Sequence, residues 1–305
     1  MNYEQDRFPL ERIGEIQKTP ENYRLLQRIP LTVDGIESKL PYKLNEKVAG
    51  EKVYSVVFLD TETTGTDYKT SKIIELGMVK ATFSMDRKIL LSIDRIYDSF
   101  EDPHETIPLE IQQLTHITNE MVENHKIDDD IVSAFLSDRP LIVAHNASFD
   151  RPFFDKRFPL LGDRSWSCSQ RGVKWQLLGS NGAKLEYLLM TRGWFYAAHR
   201  ADIDCMALLW LMHIEPEAFR MLVETALKTS YKICAINTPF GVKDELKRVG
   251  YRFERTAEGE ACWYINVNTE EDLKKQQNFL EQNRLSDYCH IIRVDAKVRY
   301  KNGGY

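Results

Sequence analysis

The sequence predicts an α/β fold built on a mixed sheet, and three observations carry that prediction. Strand-like apolar segments near residues 54–60, 73–83 and 89–98 are joined by short turns such as Met85-Asp-Arg-Lys88, which suits an antiparallel portion. A later strand at 140–145 comes after helices near 108–113 and 130–137, so it must join in parallel beside the first. That arrangement returns Asp150 to Asp60 at the strand ends, where open α/β sheets place their sites.

Taken in order, residues 1–52 read as an N-terminal extension packing on the core, with one short helix over Pro20–Ile29 and Pro30 and Pro41 as punctuation. The first core strand, Val56-Val-Phe-Leu-Asp60-Thr-Glu62, ends in two acids one residue apart, which strand alternation turns to one face. Clustered carboxylates repel one another and lose hydration, so a divalent cation is expected there. Asp128-Asp-Asp130 precedes Ile131-Val-Ser-Ala-Phe-Leu and reads as capping and first-turn charge rather than a cation site. In Leu141-Ile-Val-Ala-His145-Asn146-Ala-Ser-Phe149-Asp150 an apolar strand stops at a polar pair, and Asp150 falls in the first turn of a helix. Asp204 lies near the start of a helix with the stripe Cys205, Leu208, Leu209 and Met212, while His199 sits in the irregular segment before it. Asp202 is a favourable first-turn charge on that helix.

Asp60, Glu62, Asp150 and Asp204 with His199 suit a two-metal phosphodiester hydrolysis, in which paired cations stabilise the attacking and leaving oxygens and the imidazole takes a proton from water. The order Asp60-Thr-Glu62-Thr-Thr-Gly65, then His145-Asn-x-x-Phe-Asp150, then His199-x-x-x-x-Asp204 resembles the DEDDh exonucleases, a family that includes proofreading subunits of bacterial DNA polymerases. Lys72-Ile-Ile-Glu-Leu-Gly77, the connector Ile107-Pro followed by Gln112-Gln-Leu-Thr-His-Ile-Thr118, and the short helix opening at Lys184-Leu-Glu-Tyr-Leu-Leu extend the similarity over roughly residues 54–214. His116 departs from it, standing where members more often carry Gly.

The resemblance implies an RNase H-like mixed five-stranded sheet flanked by helices and metal-dependent 3′→5′ removal of nucleoside 5′-monophosphates. It assigns Asp60, Glu62, Asp150 and Asp204 to two divalent cations, Mg²⁺ or Mn²⁺, and His199 to the base. It gives Thr63 and Thr64 a part in holding the terminal nucleotide, and makes Asn146 and Phe149 lining of the substrate cleft. The implied partners are single-stranded DNA or RNA 3′ ends, with DNA favoured and an RNA-directed exoribonuclease as the alternative. A protein held mainly by a DNA polymerase or repair complex is the competing reading.

The expected division is 1–52 extension, 53–215 exonuclease domain, 216–233 connecting helix, 234–283 a small α+β module and 284–305 a C-terminal tail. In the module, Thr238-Pro239 opens a helix ending at Gly250, strands Tyr251–Arg255 and Ala261–Val267 follow across Ala257-Glu-Gly-Glu260, and Thr269 caps a last helix to about Glu281. Its aromatics, among them Tyr251, Phe253 and Trp263, lie near Lys243, Lys247, Arg248 and Arg252 and read as core and rim, the alternative being a stacking surface for single strands.

Composition excludes several classes. At 305 residues with 43% hydrophobic content the chain supports about two domains, and its formal net charge of −5 argues against affinity from a broad basic surface. Arg171, Lys174, Lys184, Arg192 and Arg200, between the second and third motifs, could still guide a strand locally, although each singly reads as solvated surface. Cysteines 168, 205, 234, 262 and 289 lack zinc-ligand or disulfide-framework spacing. No apolar stretch is long enough for a membrane, and no signal peptide opens the chain, so a cytoplasmic enzyme is expected.

Overall fold

The computed structural model describes residues 10–30, 39–255 and 259–301. Its main sheet is assembled from the three long strands β3 (Val53–Thr63), β4 (Ile73–Ser84) and β5 (Ile89–Phe100), paired antiparallel in sequence order. The short strands β6 (Leu141–Ala144) and β7 (Trp166–Cys168) add in parallel on the other side of β3. Five strands in the order β5-β4-β3-β6-β7 form a mixed sheet of the expected strand number, and a sixth joins them at the edge. That extra strand is β2 (Tyr42–Lys43), which follows the two-residue β1 (Gln27–Arg28) and pairs with β5. The N-terminal segment thus contributes strands. Its helix is α1 (Ile13–Lys18), upstream of the expected one, while Pro20–Asn22 makes only a single 3-10 turn. β1 pairs in parallel with β8 (Trp194–Phe195), and the next residue, Ile29, is fully buried in the core.

Strand alternation divides the core into two layers. Val56 and Phe58 of β3 face α8 (Ala201–Ile214), and with α7 (Leu185–Met190) and α9 (Pro216–Leu227) that helix closes one face. Val57 and Leu59 face α4 (Asp129–Phe135) and α5 (Ala147–Arg157) on the other. A smaller apolar cluster beneath α2 (Leu109–Thr115) and α3 (Asn119–Val122) includes Ile107 and Ile117. His116 closes α2 in the left-handed region at φ 59°, the conformation that favours glycine at this place in a helix. The Asp128 side chain caps α4 by accepting from the backbone N–H groups of Asp130 and Ile131, and so belongs to the helix rather than to a cation.

Gly77 faces α8, where a Cβ would fall inside the backbone of Ala201 and Asp202. The helix start therefore rests directly on the sheet. Gly77→Ala is expected to destabilise the protein by roughly 1–3 kcal/mol, as overpacking does, and to lower its melting point by displacing the start of α8, which carries Asp204. Wild-type melting in that variant would show that the helix has room to give.

After α6 (Ser169–Gly172) and the helices described above, the chain enters a second sheet of four antiparallel strands, in the order β10-β11-β9-β12. These are β9 (Ser230–Ile236), β10 (Arg252–Arg255), β11 (Ala261–Val267) and β12 (Cys289–Val294), with α10 (Lys243–Arg248) and α11 (Glu270–Gln282) over one face. Two flanking strands thus widen the expected helix, hairpin and helix, and β12 lies where a tail was expected. Thr269 caps α11 as anticipated; α10 starts later, at Lys243, with no side-chain cap. The link anticipated at 257–260 lies partly, and the last four residues of the expected tail wholly, outside the described residues.

Beyond β12 the chain returns to the main domain. Arg151, completely buried on α5, donates to the carbonyls of Ala296 at 3.2 Å and Arg299 at 2.6 Å and pairs with Asp155 at 3.2 Å. Trp166 of β7 donates its backbone N–H to the Ala296 carbonyl at 2.8 Å. This buried guanidinium, one residue from Asp150, holds the C-terminal segment against the helix that carries the acid.

Candidate active site

Parallel pairing of β6 with β3, Val56 opposite Leu141 through Phe58 opposite Val143, ends both strands at one level. Asp60 and Glu62 then project from the end of β3, Asp150 from the first turn of α5 and Asp204 from the first turn of α8. One cleft is lined by all four, together with His145, Asn146, Phe149 and His199. Ligand oxygens of Asp60, Glu62 and Asp204 lie within 4.8 Å of one another. Asp150 stands beside this trio, its Oδ1 accepting from the Thr61 backbone N–H at 3.2 Å and hydroxyl at 3.1 Å.

Electrostatics explain why such a cluster needs a cation. Loss of hydration, then the charges of Asp150, Asp204 and Glu62, push the Asp60 carboxyl well above the usual range. Glu62 rises to about 8, from burial first and Asp204 second. Burial also lifts Asp150 to about 7 against the opposing Thr61 hydrogen bonds, and Asp204 to about 6 against the Tyr196 hydroxyl. An oxygen-rich, overcharged set suits a hard divalent cation. A second acidic group, Glu75, Asp98 and Asp202, already has its positive partner, since Arg200 bonds Glu75 at 2.8 Å and the Ala201 backbone N–H adds a bond at 2.9 Å.

Two histidines line the cleft and only one has its ring nitrogens available. His145 Nε2 is 2.6 Å from the Ala183 carbonyl, so it carries the proton, and Nδ1 accepts from the Ser169 hydroxyl at 2.8 Å. Burial lowers its pKa to about 4, and it stays neutral with both nitrogens engaged. His199 is exposed, with a backbone in the left-handed region at φ 71°. Its own N–H donates to Asp204 Oδ2 at 2.8 Å, which ties the loop to the acid.

Asn146 and Phe149 lie on the cleft wall, and Asn146 Oδ1 has no protein partner among the described residues. Thr63 and Thr64 do not line the cleft: their hydroxyls are bonded to the Gly65 carbonyl at 2.7 Å and to Glu105 at 3.2 Å. Thr61 lines it instead. The alternation that turns Asp60 and Glu62 toward α8 turns Thr61 toward α5.

Tyr196 was not legible in advance. Its hydroxyl donates to Asp204 Oδ1 at 3.0 Å, so both oxygens of that acid are oriented from the 196–199 loop. If the acidic trio holds a divalent cation, Tyr196→Phe is expected to weaken its binding by about 10- to 100-fold, as loss of a ligand's supporting hydrogen bond does, with the fold retained. Unchanged metal binding would reduce the contact to packing.

The acidic cleft thus lies at the carboxyl ends of a mixed sheet, where such sheets place their ligands, with an exposed imidazole at its edge. The sequence model of the exonuclease family (RNase_T) matches residues 57–212, and the chain belongs to that family. A "DNA polymerase III PolC-type" protein of Halalkalibacterium halodurans is 35% identical over 158 residues, covering 49% of this chain and 10% of its own length. That of Clostridium perfringens is 38% identical over 108 residues, covering 35% and 7%. The chain thus spans a tenth or less of these two relatives. Among solved structures, exonuclease X in complex with 5′ overhanging duplex DNA is 23% identical, with TM-score 0.40, covering 55% of this chain and 98% of that one. A full-length 3′-exonuclease is 15% identical, with TM-score 0.43, covering 59% and 64%.

Proposed function

We propose that the chain is a DEDDh-type 3′→5′ exonuclease, releasing nucleoside 5′-monophosphates from single-stranded or frayed 3′ ends, DNA before RNA, with two magnesium or manganese ions. The observation that carries this reading is the convergence of Asp60, Glu62 and Asp204 within 4.8 Å, beside Asp150 and the loop of His199.

In this reading Asp60, Glu62 and Asp204 would hold the cations, with Asp150 adding charge to the set. The bound cations supply charge neutralisation at the attacking and leaving oxygens. His199 accepts the proton of the attacking water; His145, with both nitrogens engaged, supports the wall. Asn146 Oδ1 accepts from a sugar hydroxyl, and the Phe149 ring lies against the terminal nucleotide. The bond that breaks joins phosphorus to the 3′ oxygen of the penultimate nucleotide, which leaves a 5′-monophosphate.

The polymerase named in the relatives favours a second reading in the same setting, a proofreading-like subunit held in a cytoplasmic polymerase or repair complex. Purified protein with 3′- and 5′-labelled single-stranded DNA and RNA, in magnesium, manganese or chelator, tests the first. Metal-dependent laddering from the 3′ end, absent in Asp60→Ala, is expected and names the sugar. Inert wild-type protein on both polymers would reject the reading and leave the recruited subunit.

A further inference from the structure

Phe240 and Phe253 of the small sheet domain are exposed at 81% and 52% and belong to no apolar cluster of the described residues. Both rings stand beside cations or another ring. Lys243 Nζ lies 4.1 Å from the Phe240 ring centroid, and Lys247 Nζ lies 5.8 Å from that of Trp263. Trp263 in turn meets Phe253 edge to face at 5.3 Å. Lys243 and Lys247 are one turn apart on α10, so the five side chains form a continuous strip from Phe240 to Phe253.

We propose that this strip is a second binding surface, taking the body of a single nucleic acid strand whose 3′ end occupies the acidic cleft. The occupant is argued from charge and shape together. Neither lysine is ion-paired with a described carboxylate, whereas Lys232, on the opposite face of the sheet, is held by Glu254 at 2.9 Å. Around the helix Glu245 follows Lys243 by about 200° and points away from the strip, while Asp244, at about 100°, flanks it without an ion pair to either lysine among the described residues. Unpaired ammonium groups attract phosphates, and exposed rings stack bases of any sequence. In a chain of net charge −5, a local cationic and aromatic track gives a strand the hold that the acidic cleft alone denies it.

The inference rests on the proposed function for the direction of the strand; its test does not. Binding of a fluorescein-labelled 20-nucleotide single strand is measured by anisotropy in chelator, so that nothing is cleaved. Phe240→Ala with Phe253→Ala, all-surface changes, is expected to weaken it at least about tenfold. Lys243→Ala with Lys247→Ala is expected to make the salt dependence shallower by about 1.4 in the log-log slope, two phosphate contacts at 0.7 each. Cleavage of a dinucleotide, which has no further strand for a second surface to hold, stays at the wild-type rate in both pairs. Equal affinity for the strand in wild type and both variants, or no binding at all, overturns the proposal. Strip-dependent binding by a protein inert on 3′ ends keeps it and rejects the exonuclease instead.

Discussion

Asp60→Asn is expected to give a protein with no detectable exonuclease activity that, in chelator at pH 8, melts several degrees above the wild type. Acids whose folded pKa is raised carry stability that is present below their ordinary range and lost as pH rises through the raised value. Here those values are about 6 for Asp204, about 7 for Asp150 and about 8 for Glu62, with Asp60 raised as well. The metal-free wild type should therefore lose stability steadily between about pH 4 and 8, as like charges accumulate in a poorly hydrated cleft. An amide at position 60 removes one of those charges and relieves the other three. Each kcal/mol recovered raises the melting point by roughly 2–4 °C in a domain of this size. Magnesium or manganese should restore the wild type at pH 8, because the ligands must be deprotonated to bind, and should do little for the variant. Thermal melts at pH 5 and 8, with chelator or metal, check each step. A variant that melts below the wild type in chelator at pH 8 would mean that Asp60 is held by partners rather than strained by neighbours.

Such a cleft was legible from three short motifs because strand alternation and first-turn positions are local geometry. Asp60 and Glu62 share a face whatever packs against it, and Asp150 is carried to them once β6 lies parallel to β3. For Thr63 and Thr64 the sequence could not show that a register shift between Glu62 and Thr63 begins a turn there, or that their hydroxyls find the Gly65 carbonyl and Glu105. What stayed hidden depends on distant partners. Tyr196 reads as one more aromatic until its hydroxyl meets Asp204, and Arg151 as a surface cation until the segment after β12 covers it. Strands of two residues such as β1 and β2 have no pattern to detect and exist only because an edge receives them. In the small domain, β9 and β12 were missed because their partly exposed faces blur the period-two signal.

His199→Asn should separate the proposed base from the proposed metal site. Roughly 10²- to 10⁴-fold lower turnover is expected, the range for a lost general base, with the metal-induced rise in melting point kept. Asparagine is the informative replacement because position 199 holds φ 71°, a region that asparagine tolerates better than most side chains. The backbone N–H to Asp204 then survives, and so does the loop that orients this acid from both sides. His199→Ala would add strain in that region to the loss of the imidazole, so a greater fall in alanine than in asparagine measures the loop's share. The side chain is exposed and outside the trio of converging oxygens, which is why metal affinity should be indifferent to it. Should His199→Asn lose the metal response as fully as Asp60→Asn, the imidazole would belong to the metal site. A fall in turnover below tenfold would instead move the proton to another acceptor, and with His145 locked by Ala183 and Ser169 that acceptor would have to be one of the carboxylates.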